Sequence, residues 1–167
     1  FKLLSEGKLN NIEAKFNIDK LQNTNPSVKI NLIESTELAK YISNITGQKI
    51  DGSASGLIEI NDLDFSNFIS KVVIDLDNTR INLPQINFSK ELGIKGLVKG
   101  DFIFESGLLT KISNFQGEVG KASFDGKLEL KNSFFKEAKF NYISLPGSLI
   151  SRLHIVKDED KRLILEI

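Results

Sequence analysis

His154 is the only imidazole this chain offers for general acid–base work or metal ligation. It stands in the run Arg152-Leu153-His154-Ile155-Val156, whose alternation places it with Arg152 and Val156 on the solvated side of a strand. Ser148 and Ser151 are close in sequence, but no Gly-x-Ser-x-Gly elbow frames either as a nucleophile. Asp62 with Asp64, and Asp75 with Asp77, have the spacing of a cation-binding pair. Neither pair leads into the glycine and distal glutamate of a calcium loop. The glycines from Gly93 to Gly126 invite a phosphate-loop reading, yet such a loop needs Gly-Lys-Ser/Thr opening a helix, and strands flank these glycines on both sides. Cysteine is absent, which removes thiolate catalysis, disulfides and cysteine metal sites together. The expectation is a protein that is not an enzyme, with no catalytic residue, no metal and no cofactor.

The elements that would carry these residues are short alternating strands. In Ile12 to Asp19, Ile12, Ala14, Phe16 and Ile18 share one face while Glu13, Lys15, Asn17 and Asp19 share the other. The preceding FKLLSEGKL pairs with it as a hairpin through Asn10-Asn11. After the turn-rich QNTNPS, VKINLI continues the pattern. From Ser35 to Gly47 the rhythm changes: Leu38, Tyr41, Ile42 and Ile45 follow helical spacing, with Ser35 or Thr36 as N-cap and Gly47 as stop, which predicts one short helix over about 35–46.

Strands resume over 54–60, 68–77 and 80–83, where Pro84 ends the run; 89–93 reads as a turn or brief helical loop. Further strands are expected over 96–105, 108–115, 118–131, 135–143, 149–157 and 162–167. Their apolar faces are Val98, Gly100, Phe102 and Phe104; then Phe124, Gly126, Leu128 and Leu130; then Phe134, Ala138, Phe140 and Tyr142. Strands this short and local predict a mainly β fold, an antiparallel meander. Phe102, Phe104, Phe124, Leu128 and Phe140 would pack against the helix and a second sheet in a closed core. Alternatively, because one helix of about three turns covers only part of such a sheet, part of the apolar face is left to a curled sheet, another module or a ligand.

Composition narrows the function classes. The chain has 22 basic and 22 acidic residues and no net charge, so it lacks the electrostatic footprint of a nucleic-acid binder. Its 12 phenylalanines fill space and offer no hydrogen-bonding handle. No apolar run reaches the length of a membrane span. With no methionine and Phe1 inside a strand, the 167 residues read as a single β-rich domain that is an excerpt of a longer repetitive protein or a processed product.

The run from Asp75 to Ile103, DLDNTRINLPQINFSKELGIKGLVKGDFI, resembles the AsmA-like envelope proteins of Gram-negative bacteria, closest to the YhdP-type branch that neighbours TamB. The matching elements are a strand ending in Leu83-Pro84, the Lys90-x-x-Gly93 turn, and a new strand begun by a small residue. FQGEVGKASFDGKLELKN, and the helix leading into GSASGLIEI, also look like that family's phrases. The resemblance implies that the meander is a curved antiparallel sheet forming a groove or half-barrel, part of a long β-groove in the periplasm whose apolar interior shields phospholipid acyl chains between inner and outer membranes. It also implies an inner-membrane anchor in the parent protein, neighbouring β modules of the same chain, and no catalytic residues.

The expected groove face is Val98, Phe102, Phe104, Phe124, Leu128 and Phe140, serving passive lipid transport in the cell envelope and outer-membrane homeostasis. A structural or protein-interaction β module without lipid binding would instead use free edge strands. An enzyme would need a polar pocket around His154 with carboxylate partners.

Overall fold

The computed structural model describes residues 1–132, 134–157 and 163–166. Hairpins open it: β1 (Lys2–Leu9) pairs antiparallel with β2 (Ile12–Asp19) through Asn10 and Asn11, both at positive φ. A two-residue turn in the left-handed region matches the twist of its strands, and asparagine tolerates that conformation. Next come β3 (Ser27–Ser35), the helix α1 (Thr36–Thr46), β4 (Ile50–Gly52), β5 (Ala54–Ile60) and β6 (Phe68–Asp75). The Ser35 side chain accepts from the Leu38 amide and Gly47 closes the helix at φ 66°, as the sequence predicts.

β7 (Thr79–Leu83) runs into a 3-10 turn at Pro84–Ile86, then β8 (Phe88–Lys90) and β9 (Gly96–Glu105). The chain continues through β10 (Leu108–Val119), β11 (Ala122–Lys131), β12 (Phe134–Leu145), β13 (Ser148–Lys157) and β14 (Leu163–Glu166). Arg162 and Ile167, the ends of the last expected strand, lie outside the described residues.

Among the described residues eleven strands form one antiparallel sheet in the order β1-β2-β3-β5-β6-β9-β10-β11-β12-β13-β14, not closed into a barrel. The fold class is the one the alternation predicts. Its register puts apolar residues in line. Gly7, Ala14, Leu32, Gly56 and Ile74 follow one another across β1, β2, β3, β5 and β6. Val98, Gly117, Phe124, Ile143 and Ile150 carry the same row across to β13. The opposite face carries the charges: Lys29, Glu59, Lys71 and Asp101 are successive cross-strand partners, with Lys29 and Glu59 2.8 Å apart.

Three expectations need correction. The turn expected near Gln116 and Gly117 lies at Gly120–Lys121, so Gly117 sits inside β10. The segment 89–93 is not simply a loop, because Phe88–Lys90 is a strand pairing with β7. Phe134 and Tyr142 do not share the face of Ala138 and Phe140: register shifts on either side of those two put Phe135 and Ile143 there instead. An extra residue in one strand inverts the alternation beyond it.

Two insertions build a second layer. The β3–β5 connection holds α1 and β4, the β6–β9 connection holds β7 and β8, and β4-β7-β8 form a small sheet. Together they roof one end of the large sheet, enclosing a core of Leu32, Leu38, Ala39, Ile50, Ile81 and Phe88.

Candidate functional site

Between roof and floor lies a cleft of about 780 Å³. The floor supplies Ile58, Ile74, Val98, Phe102, Phe104 and Phe124. α1 supplies Leu38, Tyr41, Ile42 and Ile45, and the small sheet adds Ile50, Ile81, Leu83 and Phe88. Leu9 and Leu145 border the same space, although a flat sheet would hold their strands roughly 40 Å apart at about 4.8 Å per step. The sheet therefore bends around the cleft.

Phenylalanine does much of the shaping. Phe68 and Phe104 stack with ring centroids 4.4 Å apart, Phe115 leans on Phe124 at 4.8 Å, and Phe124 meets Phe140 edge-on at 6.3 Å. Beneath two of these rings the partner strand carries glycine. A Cβ on Gly117 would come 2.3 Å from the Phe124 ring, and one on Gly126 would come 2.5 Å from the Lys139 carbonyl and 2.8 Å from the Phe140 ring. An aromatic ring lying over a cross-strand glycine lets the sheet bend without opening a void.

Of the six residues expected on the groove face, Val98, Phe102, Phe104 and Phe124 line the cleft. Leu128 and Phe140 lie on the same sheet face, across from Ile112 and Gly126, but outside the cleft. The roof is the helix and a second sheet, the packing that a closed core over these phenylalanines would use, although its individual residues were not named. α1 was legible as an amphipathic helix, and its stripe of Leu38, Tyr41, Ile42 and Ile45 is the signal that could have placed it over the floor. The share of β7 and β8 had no comparable signal.

The lining is uncharged. Among the described residues that border the cleft, the polar ones are Asn10, Thr46, Gln48, Ser70 and Ser123, with the Tyr41 hydroxyl, and none carries a charge. The buried cation beside the roof is Lys90, 2% exposed, whose Nζ donates to the carbonyls of Thr79 at 2.8 Å, Asp77 at 3.0 Å and Glu91 at 3.2 Å. Burial pushes its pKa down, opposed by the carboxylates of Asp77 and Asp75. Asp77 also accepts from the Gly96 amide at 2.7 Å, and Asp75 from the Asp77 amide at 2.8 Å. These carboxylates tie turns together. On the other side of this joint, Glu34 accepts from Ser53 at 2.6 Å and Asn78 at 2.8 Å, fastening both insertions to the floor.

His154 stands apart from the cleft, on the charged face. Its Nε2 meets Glu137 at 2.8 Å and its Nδ1 meets Glu166 at 3.0 Å, a bridge over β12, β13 and β14. It has the carboxylate partners an acid–base site would need, but the cleft does not include it. The hydrogen bond to Glu137 raises the His154 pKa, with Glu166 adding and Lys139 opposing; the same bond holds Glu137 down at about 2.

For a raised histidine the folded state binds the extra proton, so its contribution is complete below the unfolded value of about 6.5 and is lost as pH climbs through the raised value. For the depressed Glu137 the contribution is complete above about 4.5 and is lost as pH falls toward about 2. Amide protection of β14 is expected to be greatest between about pH 4.5 and 6.5. Hydrogen-exchange protection factors measured from pH 4 to 9 check this. Protection that stays flat, or rises above pH 7, contradicts it; His154→Ala should remove the alkaline decline.

Among the described residues no helix is long and apolar enough to cross a membrane, and no group of three His, Cys, Asp or Glu side chains could hold a metal. Comparison with family models, curated proteins and solved structures finds no match to this chain.

Proposed function

We propose that this chain is a segment of a hydrophobic groove that binds or guides phospholipid between inner and outer membranes, in the manner of the AsmA-like, YhdP-type envelope proteins its sequence resembles. The observation that carries the reading is the cleft itself: about 780 Å³, bounded by sheet, helix and small sheet, with no charge among the described residues that line it. Each methylene moved from water into such a lining gains roughly 0.8 kcal/mol, so a hydrocarbon chain has strong reason to enter. An extended peptide would bring an amide donor and a carbonyl at every residue, and the few polar side chains here could not satisfy them. Acyl chains make no such demand.

The mechanism is passive: Val98, Phe102, Phe104 and Phe124 contact the chains, and Leu128 and Phe140 extend the apolar face past the roof. The site of action is the periplasm, with the parent protein anchored in the inner membrane.

A photo-crosslinking residue at Phe102, with Lys99 on the charged face as control, is expected to yield lipid adducts at Phe102 several-fold above Lys99 in cells. Equal capture at the two sites refutes lipid binding. The reading as a protein-interaction module has its own support, because β1 and β14 are the edge strands of the large sheet and carry exposed side chains along their length, with Leu4 at 70% and Leu165 at 62%. A third crosslinker at Leu4 tests it: protein adducts there together with equal lipid capture at Phe102 and Lys99 favour that module.

A further inference from the structure

We infer that the unroofed end of the large sheet docks on a zwitterionic lipid bilayer through a row of apolar tips. In an antiparallel meander every second connection falls at the same end. The connections β2–β3, β5–β6, β9–β10 and β11–β12 share the end opposite the roof and follow one another across the sheet. In or beside each stands one large apolar side chain turned to solvent: Leu21 at 71% exposure, Phe65 at 81%, Leu108 at 45% and Phe134 at 74%. The hairpin turns at the roof end differ. Asn10-Asn11, Gly120-Lys121 and Pro146-Gly147 carry no large apolar residue, Ile12 and Val119 beside them are buried, and Leu9 borders the cleft.

The tips are held out by their own connections. The Ser66 amide donates to the Asp64 carboxylate at 3.1 Å, folding a turn with Phe65 at its apex. The Leu63 amide donates to the Pro26 carbonyl at 2.9 Å, the Gly107 amide to the Ser66 carbonyl at 2.8 Å, and the Ser106 amide to the Asn67 side chain at 3.2 Å. These bonds lace three neighbouring connections into one rim, so Leu21, Phe65 and Leu108 are presented together. Spacing and charge decide what the rim fits. Successive hairpins lie two strands apart, roughly 10 Å at about 4.8 Å per strand, with polar residues such as Asn25, Asp62 and Asn67 between the tips. A protein interface needs a contiguous apolar core, whereas the boundary between head groups and acyl chains admits separate tips one by one. The four connections and their strand ends carry Asp19, Asp62, Asp64 and Glu105 against Lys20 and Lys131, an acidic excess that disfavours an anionic surface. None of the four tips borders the cleft, so docking stands apart from lipid binding within it.

The chain has no tryptophan, so Phe65→Trp installs a single reporter. On adding phosphatidylcholine vesicles its emission is expected to shift to the blue and to be quenched by lipids brominated on the acyl chain. Leu149→Trp, at a site 70% exposed near the roof end, is expected to do neither. In vesicle flotation Phe65→Glu and Phe134→Glu are each expected to lower the partition coefficient about tenfold, and Leu149→Glu by less than about twofold. Exchanging about a third of the phosphatidylcholine for phosphatidylglycerol is expected to leave binding equal or weaker. An unshifted Phe65→Trp emission, equal losses in Phe65→Glu and Leu149→Glu, or tighter binding to the phosphatidylglycerol vesicles overturns the docking. So does a dimer in solution that Phe65→Glu dissolves without any vesicle binding, which would assign the rim to a second copy of the chain. Each of these failures leaves lipid capture at Phe102 to be judged by its own crosslinking.

Discussion

Lys90→Ala is expected to lower the unfolding free energy by about 2–4 kcal/mol, combining a lost buried stem with carbonyls left short of a donor. Thr79 and Glu91 offer their carbonyls to the Lys90 ammonium, and so does Asp77, which also receives the Gly93 amide at 2.9 Å. The stem fills a tight place, since a Cβ on Gly96 would come within 2.7 Å of Lys90 Cε and the side chain also passes Gly120. Lys90→Met separates the two contributions. It keeps most of the packing and removes the buried charge together with its bonds, so its loss should be about half or less. Urea unfolding with an unchanged m-value is the measurement. A loss under about 1 kcal/mol for Lys90→Ala would show that the roof does not depend on this joint.

The second large effect belongs to the floor glycines. Gly126→Ala is expected to cost about 2–3 kcal/mol, because the new methyl meets the Lys139 carbonyl at 2.5 Å and backbone cannot step aside without breaking the β11–β12 register. Gly117→Ala should cost less, about 1–2 kcal/mol: its methyl meets the outer edge of the Phe124 ring, which can swing. That swing moves the ring within the cleft, so Gly117→Ala should also alter chain binding at modest cost in stability. Thermal or urea unfolding of the two variants side by side decides the order. A Gly126→Ala protein as stable as the parent would mean that the strands separate easily there.

Much of the architecture is legible because one physical rule, apolar and polar residues alternating with the pleat, repeats along the chain. β5 and β9 have the bounds the pattern gives, and α1 begins and ends at residues chosen by capping chemistry. The rule fails where a strand holds an extra residue. Around Ala138 and Phe140, register shifts move Phe135 and Ile143 inward in place of Phe134 and Tyr142, and nothing in a period of two announces them.

It fails again at Gly117, where glycine signifies a ring lying overhead and not a turn. β8 was hidden for another reason: it is three residues long, too short to show an alternation, and its Lys90 is buried because backbone carbonyls surround it. Val98, Phe102, Phe104 and Phe124 were legible as one apolar face because they follow the pleat of their strands, and they border the cleft. The roof could not be assigned, because it is assembled from two segments far apart in sequence.

That separation bears on how the molecule assembles. Each pair in the main sheet joins strands consecutive in the chain apart from the two insertions, so the floor can zip together locally, hairpin after hairpin. Ile50 and Ile81 have no such advantage by themselves, and bringing them together in a free chain means closing a long loop. Once β5 and β6 are paired, however, Ser53 and Asn78 stand side by side, joined by a backbone hydrogen bond of 2.9 Å, and the remaining loop is short. The floor is thus the template on which the roof closes, and the order of construction is written into the order of the strands.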